Sequence, residues 1–138
     1  MDRPVASSTE ALRRMRRQRR RDTAPELLLR RELHRLGLRY RVNRTVLPGV
    51  RRRADVVFVR ARVAVFVDGC FWHSCPQHRT APRANAQWWT DKLAANVTRD
   101  RDTDRRLVGA GWTAVHVWEH ENMADAAARV RGIVFARR

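Results

Sequence analysis

Ala54-Asp-Val-Val-Phe-Val-Arg-Ala-Arg-Val-Ala-Val-Phe-Val-Asp68 consists of two short β-branched apolar runs separated by a charged break. Ala54–Val59 and Val63–Val67 read as adjacent buried strands, because Val and Phe favour a pleated, enclosed backbone. Arg60-Ala-Arg62 between them reads as a tight hairpin centred on Ala61. That register sets Asp55 opposite Val67, and a one-step slip sets it opposite Asp68. Either way two carboxylates lie at one end of neighbouring strands, within about 4.5–8 Å of each other. Such a pair is costly unless a cation sits between the acids or one of them holds a proton.

Downstream of the second strand the chain becomes chemically dense. Gly69-Cys-Phe-Trp-His-Ser-Cys-Pro-Gln-His78 packs two thiols, two imidazoles and two large aromatics into one loop. Thiolate and imidazole suit a metal better than they suit an apolar core. Cys70, Cys75 and His78 offer three zinc ligands, and His120, just beyond a later strand, offers a fourth. A closed Cys2His2 tetrahedron would be structural rather than catalytic. Two free thiols with scattered histidines, or a Cys70–Cys75 disulfide, are the alternatives. His73 is left over, close to the strand ends that carry Asp55 and Asp68. There it reads either as a ligand or satisfied polar residue, or as a base taking a proton from a water beside hydrated Mg²⁺. Phe71, Trp72, Trp88 and Trp89 read either as core or as a wedge that parts stacked bases, an action favoured where a step is already weakened.

Upstream, Thr23-Ala-Pro-Glu26 fits a capping box, with Thr23 as N-cap and proline in the first turn. The helix it starts runs to about Leu36, with Leu29, Leu33 and Leu36 inward and Gly37 ending it. Glu26 can close that box or reach a metal site through water. Leu47-Pro-Gly49 is a turn. After the Cys/His loop a long helix is expected from Asn85 or Ala86 to Val108, stopped by Gly109 and Gly111. Trp112–Trp118 is a further strand with Val115 and Val117 on one face, and a last helix covers about Asn122–Val134. His34 and His116 read as structural. The order α-β-β-β-α-β-α, with a mixed sheet covered by helices, is an α/β or α+β domain. Its expected span is residues 23–138. Residues 1–22, containing Arg13-Arg-Met-Arg-Arg-Gln-Arg-Arg-Arg21, read as a basic arm.

Bulk composition points to the partner. The 138 residues carry 30 basic and 14 acidic side chains, a net charge of +16, with Lys92 the single lysine. That excess predicts salt-sensitive attraction to polyanions, against the alternative of a merely solvated basic surface. No run approaches the roughly 18 apolar residues that would span a bilayer, so no membrane partner is expected. No signal peptide is read at the arginine-dense start, and two cysteines make no disulfide framework. A reducing cytoplasmic setting follows.

Asp55-Val-Val-Phe, Val65-Phe-Val-Asp-Gly-Cys-Phe-Trp-His73, Trp89-x2-Lys92-x3-Asn96-x2-Arg99-Asp-Arg101 and Gly111-Trp-x5-Trp-Glu119 occur in order. With Asp22-Thr-Ala-Pro-Glu26, they resemble the very-short-patch mismatch repair (Vsr) endonucleases across roughly residues 10–121. The resemblance implies a restriction-endonuclease-like fold with a structural Zn²⁺ site. It also implies a Mg²⁺-dependent enzyme that nicks DNA 5′ to the thymine of a T·G mismatch. Carried across, Asp55 and the Val67 carbonyl are the Mg²⁺ ligands, His73 is the general base and Glu26 supports the metal water. Phe71, Trp72 and Trp89 match intercalating aromatics; Cys70, Cys75, His78 and His120 match the zinc ligands.

This chain departs from the best-known members of that family, which carry threonine and histidine where it has Val67 and Asp68. An ionised aspartate cannot give a proton to a leaving group, so Asp68 is assigned as an added Mg²⁺ ligand. Cys75 and His78 also replace a histidine and a cysteine at slightly different spacing. Lys92, Arg99 and Arg101 are expected to anchor DNA phosphates, which position a duplex without specifying its sequence. A monomer acting on mismatched duplex DNA in the nucleoid is expected, with mismatch-repair proteins as candidate partners. A restriction-type nuclease on matched duplex, a zinc-containing DNA-binding module without catalysis and an RNA-binding protein are the rivals.

Overall fold

The computed structural model describes residues 22–69 and 86–137, and in them one four-stranded mixed sheet in the order β1-β2-β3-β4. Its strands are β1 (Arg41–Thr45), β2 (Arg53–Phe58), β3 (Val63–Asp68) and β4 (Thr113–Trp118). The helices are α1 (Ala24–Arg35), α2 (Ala86–Gly109) and α3 (Met123–Arg137). β1, β2 and β3 are antiparallel neighbours, and β4 lies parallel to β3. The element order agrees with the sequence reading, and the ends move by one to three residues. The basic arm and the Cys/His loop from Cys70 to His78 lie outside the described residues.

Local chemistry sets the elements. The Thr23 N–H donates to Glu26 Oε2 at 2.9 Å, satisfying a donor at the start of α1 that would otherwise be orphaned. Gly37 takes φ of 86°, which lets the chain leave α1 and return Leu38 N–H to Leu33 O at 3.1 Å. The Leu47-Pro-Gly49 turn closes with Val50 N–H on Leu47 O at 3.2 Å. Asn122 Oδ1 accepts the Asp125 N–H at 3.0 Å and so caps α3.

Each face of the sheet has its own core. Leu29 and Leu33 of α1 and Val130 and Val134 of α3 are fully buried against Val56, Val65 and Val117. On the other face Leu107 of α2 packs on Ala54, Val57, Ala64 and Phe66. Truncating any of these large side chains to alanine costs about 2–5 kcal/mol, because the lost contacts and the cavity add.

The β2–β3 register differs from the expectation by one step. Val56 pairs with Val65, Val57 with Ala64 and Phe58 with Val63, so Asp55 falls level with Phe66 rather than Val67 or Asp68. The cause is the turn. Arg62 adopts a left-handed φ of 56° and its N–H bonds Val59 O at 3.2 Å, giving a four-residue reversal in place of the three-residue one.

A second irregularity aims Asp55. Ala54 and Val57 lie on the α2 face, Val56 and Phe58 on the α1 face. In a regular strand, residues three apart cannot share a face. The β1–β2 ladder skips the Asn43–Asp55 rung between Val42↔Val56 and Arg44↔Ala54, and Asn43 has φ of 51°. The broken pleat frees Asp55 from strict alternation, and its carboxyl meets α1.

The outer edge of β4 is covered by charge. Trp118 N–H donates to Glu121 Oε2 at 2.6 Å, Arg129 donates to His116 O at 2.9 Å, and Arg129 pairs with Glu121 at 2.8 Å. Blocking an edge strand in this way discourages another chain from adding to the sheet. No described helix is long and apolar enough to cross a membrane.

Candidate active site

The C-terminal ends of β3 and β4, the start of β2 and the first turn of α1 meet at one end of the sheet. Asp55 Oδ2 accepts the Val67 N–H at 2.6 Å, and its carboxyl also hydrogen-bonds to the Glu26 carboxyl. Burial, the Glu26 hydrogen bond and the Glu26 charge together push Asp55 up to about 8, against the opposing pull of the Val67 N–H and Arg52. At neutral pH the pair therefore holds a proton. Glu26 closes the capping box with one oxygen, and its carboxyl also engages Asp55. Asp55, Glu26 and Val67 are thus brought together as expected.

Asp68, assigned from the sequence as an added Mg²⁺ ligand, is not part of that pair. Its side chain is only 5% exposed; Oδ1 takes Arg52 Nη2 at 2.6 Å and Oδ2 meets His116 Nδ1 at 2.6 Å. The alternation of β3 places Asp68 with Phe66 on the α2 face, while Asp55 faces α1. The repulsion inferred from a shared register is absent because the two acids sit on opposite faces.

Around Asp68 the protein supplies its own cations. His116 Nε2 lies 2.8 Å from both Asp104 oxygens, and Arg52 also binds Asp100. Phe66 stacks on the His116 ring at 5.3 Å, with the Arg52 guanidinium 4.4 Å from the Phe66 centroid. Burial disfavours the imidazolium, but Asp68 and then Asp104 outweigh it and raise His116 to about 9. His116 was expected to be structural, and it is, as a charged bridge between two acids. Arg52 and Asp104 had escaped the sequence reading, and Asp100 entered it only inside a motif, with no role. Asp100 and Asp104 are one helical turn apart on α2, and parallel β3–β4 pairing sets His116 against Phe66, so the signal was a pair of spacings.

The remaining predicted residues divide by location. Cys70, Phe71, Trp72, His73, Cys75 and His78 lie outside the described residues. His120 is exposed just past β4, beside the point where β3 ends: Glu119 N–H donates to Asp68 O at 3.0 Å. Parallel pairing therefore carries His120 to the edge from which the chain departs toward Cys70. Among the described residues no three acidic, histidine or cysteine side chains form a metal cluster.

Trp89, expected among the intercalating rings, is 5% exposed and stands edge-on to Trp88 at 4.7 Å, so its face is not open to a base step. Lys92 is half-buried on α2, and Arg99 and Arg101 are exposed there. Arg99 donates to Asn96 Oδ1 at 3.0 Å. His34, exposed near the end of α1, enters neither cluster.

Residues 6–79, which include every residue of the Asp55–Glu26–Val67 edge, match the family described as DNA mismatch endonuclease Vsr. The type II nicking enzyme V.NaeI of Lentzea aerocolonigenes is 47% identical over 129 residues, covering 92% of this chain and 78% of the relative. The type II nicking enzyme V.XorIIP of Xanthomonas oryzae pv. oryzae is 36% identical over 117 residues, 82% of this chain and 83% of its own length. The DNA mismatch endonuclease Vsr of Escherichia coli K12 is 38% identical over 114 residues, 78% of this chain and 70% of the relative. Likeness of this extent defines a DNA endonuclease. The chain belongs to the Vsr family of DNA mismatch endonucleases.

Proposed function

We propose that this endonuclease nicks duplex DNA at T·G mismatches, using Mg²⁺ at the Asp55 edge of a restriction-endonuclease-like fold. The carrying observation is the Asp55–Glu26 pair: two carboxyls buried together, holding a proton because burial and their mutual hydrogen bond and charge outweigh the pull of Arg52 and the Val67 N–H. A hard divalent ion with oxygen ligands is the natural replacement for that proton, so the donor set fits Mg²⁺. Asp55 and the Val67 carbonyl would hold it, with Glu26 acting through water. When bound, it would supply Lewis acidity toward the scissile phosphate and ease ionisation of an attacking water.

The chain's own groups do the rest. The Val67 N–H fixes the Asp55 carboxylate at 2.6 Å, and the capping bond to Thr23 fixes Glu26. His73 accepts the proton of the attacking water. Asp68, bound by Arg52 and His116, locks the end of β3 and so steadies the adjoining Val67 peptide. Phe71 and Trp72 enter the weakened base step, while Lys92, Arg99, Arg101 and the basic arm grip flanking phosphates. Zn²⁺ held by Cys70, Cys75, His78 and His120 would tie the loop to the end of β4. That reading is supported by the parallel pairing that brings His120 to this edge. The enzyme is proposed to act as a monomer.

The test is incubation with a duplex carrying one T·G pair, and with its matched counterpart, with and without Mg²⁺, mapping any nick. One nick 5′ to the mismatched thymine, dependent on Mg²⁺, is expected. Equal cleavage of both strands of the matched duplex would replace this reading with a restriction-type activity. His73→Ala should bind the mismatched duplex but fail to nick it, and about one zinc per chain should be found by metal analysis.

A further inference from the structure

We infer that the rim formed by β1 and the β1–β2 turn is a separate phosphate-binding surface for the same DNA duplex, built from Arg44, Arg51 and Arg53. The inference rests on the DNA endonuclease reading and adds a contact surface to it. From Leu33 to Ala54 the chain has seven arginines and no aspartate or glutamate. Arg35 pairs with Glu32, and Arg52 with Asp68 and Asp100. Arg39, Arg41, Arg44, Arg51 and Arg53 are all exposed, and no described carboxylate lies within ion-pair distance of any of them.

Several basic residues elsewhere do have an acidic partner: Arg30 pairs with Asp22 and Arg129 with Glu121. On α2, Arg105 and Arg106 both reach Asp102. Arg41, Arg44, Arg51 and Arg53 crowd four exposed guanidiniums onto a stretch, from Arg41 to Arg53, that carries no acid of its own.

Position supplies the second argument. β2 runs antiparallel to β3 with Phe58↔Val63 at the hairpin end, so Arg53 lies at the opposite end, with Asp68. Arg52, on Asp68 at 2.6 Å, shows that the β1–β2 connection touches the catalytic edge. Arg44 pairs with Ala54 and Thr45 with Arg53 on successive rungs, so Arg44 and Arg53 emerge from opposite faces of the rim and straddle it. β1 is the terminal strand of the described sheet, which leaves that rim open on its outer side. Guanidiniums on both sides of a rim beside the cutting edge suit the backbone of a duplex continuing past the nick. Contacts of this kind position DNA and carry no sequence information.

The experiment measures binding of a labelled, matched duplex across a salt series by the triple variant Arg44→Gln, Arg51→Gln, Arg53→Gln. The triple variant Arg105→Gln, Arg106→Gln, Arg131→Gln removes the same charge elsewhere. Each lost phosphate contact should flatten the plot of log K against log salt by about 0.9, so the rim variant should lose about 2–3 in slope. It should also bind at least about tenfold more weakly at low salt, while the control triple changes far less. Arg51→Gln alone should show about 0.9 and serves should the triple fail to fold. Salt plots parallel to the parent, or an equal loss in the control, would overturn the rim. A parent that bound DNA without salt dependence would sink the rim and the nuclease reading together.

Discussion

At one end of the sheet two buried acids belong to neighbouring strands, Asp55 on β2 and Asp68 on β3, yet their surroundings are opposite in kind. Asp68 has Arg52 on one oxygen and a protonated His116 on the other, with Asp100 and Asp104 completing the chain of charge. Asp55 has a second carboxyl for company and one backbone N–H. The protein has neutralised one acid with its own side chains and left the other short of a positive charge. A buried carboxylate pair is destabilising by itself, and that kind of deficit marks sites whose cation arrives from outside. In the proposed function it is this shortage of counter-charge, and not burial, that singles out Asp55 as the acid to hold Mg²⁺.

Catalysis gives the sharpest way to break this contrast. Asp55→Ala should cut the single-turnover nicking rate by about a thousandfold or more, whereas Asp68→Ala should cost about tenfold through looser positioning. Equal losses would put Asp68 back among the reacting groups. Stability should reverse the order. Asp68→Ala leaves Arg52 with Asp100 alone and the His116 imidazolium with Asp104 alone, and urea melts should show a loss of about 2–3 kcal/mol, toned down because both partners are about a quarter exposed. Asp55→Asn removes an unfavourable acid and should leave the protein without added Mg²⁺ as stable as the parent, or about 1 kcal/mol more so.

Proton linkage extends the comparison. Asp55 is raised from 3.8 to about 8, so the folded state holds a proton that the unfolded chain releases, and stability without Mg²⁺ falls as pH climbs between those values. His116 is raised from 6.5 to about 9; its contribution is complete below 6.5 and lost as pH rises through 9. Thermal midpoints measured without added Mg²⁺ should therefore decline from pH 6.5 to 9. His116→Gln should remove the upper part of that decline, and Asp55→Asn the lower part. Mg²⁺ must displace the Asp55 proton, so its affinity should increase up to about pH 8 and level off above. The smallest effect belongs to the β4 edge: Arg129→Ala breaks a partly exposed ion pair and should cost about 1 kcal/mol or less in the same melts.

The same contrast shows what could be read from the chain and what could not. Apolar runs, the capping box, the glycines at positions 37 and 111 and the order of elements were legible because each is set by neighbours a few residues apart. Asp55, Glu26 and Val67 were placed by motif, and the structure assembles them. The fate of Asp68 was not legible, since it depends on which face its strand presents. What sends Asp55 to the opposite face is the skipped Asn43–Asp55 rung, which no local pattern announces. Nor could His116 be weighed: its charge comes from acids on β3 and α2, brought to it only by tertiary packing. Trp89 carries the family motif but is enclosed, which its position in the sequence does not reveal.

The skipped Asn43–Asp55 rung has a consequence for how such a site can be inherited or transplanted. The direction of the acid is dictated by a hiccup in the partner strand, at Asn43. Copying Arg53–Phe58 into another sheet with a regular neighbour would carry over the right letters and point the carboxyl the wrong way. Strand and neighbour must travel as one unit if the carboxyl is to keep its direction.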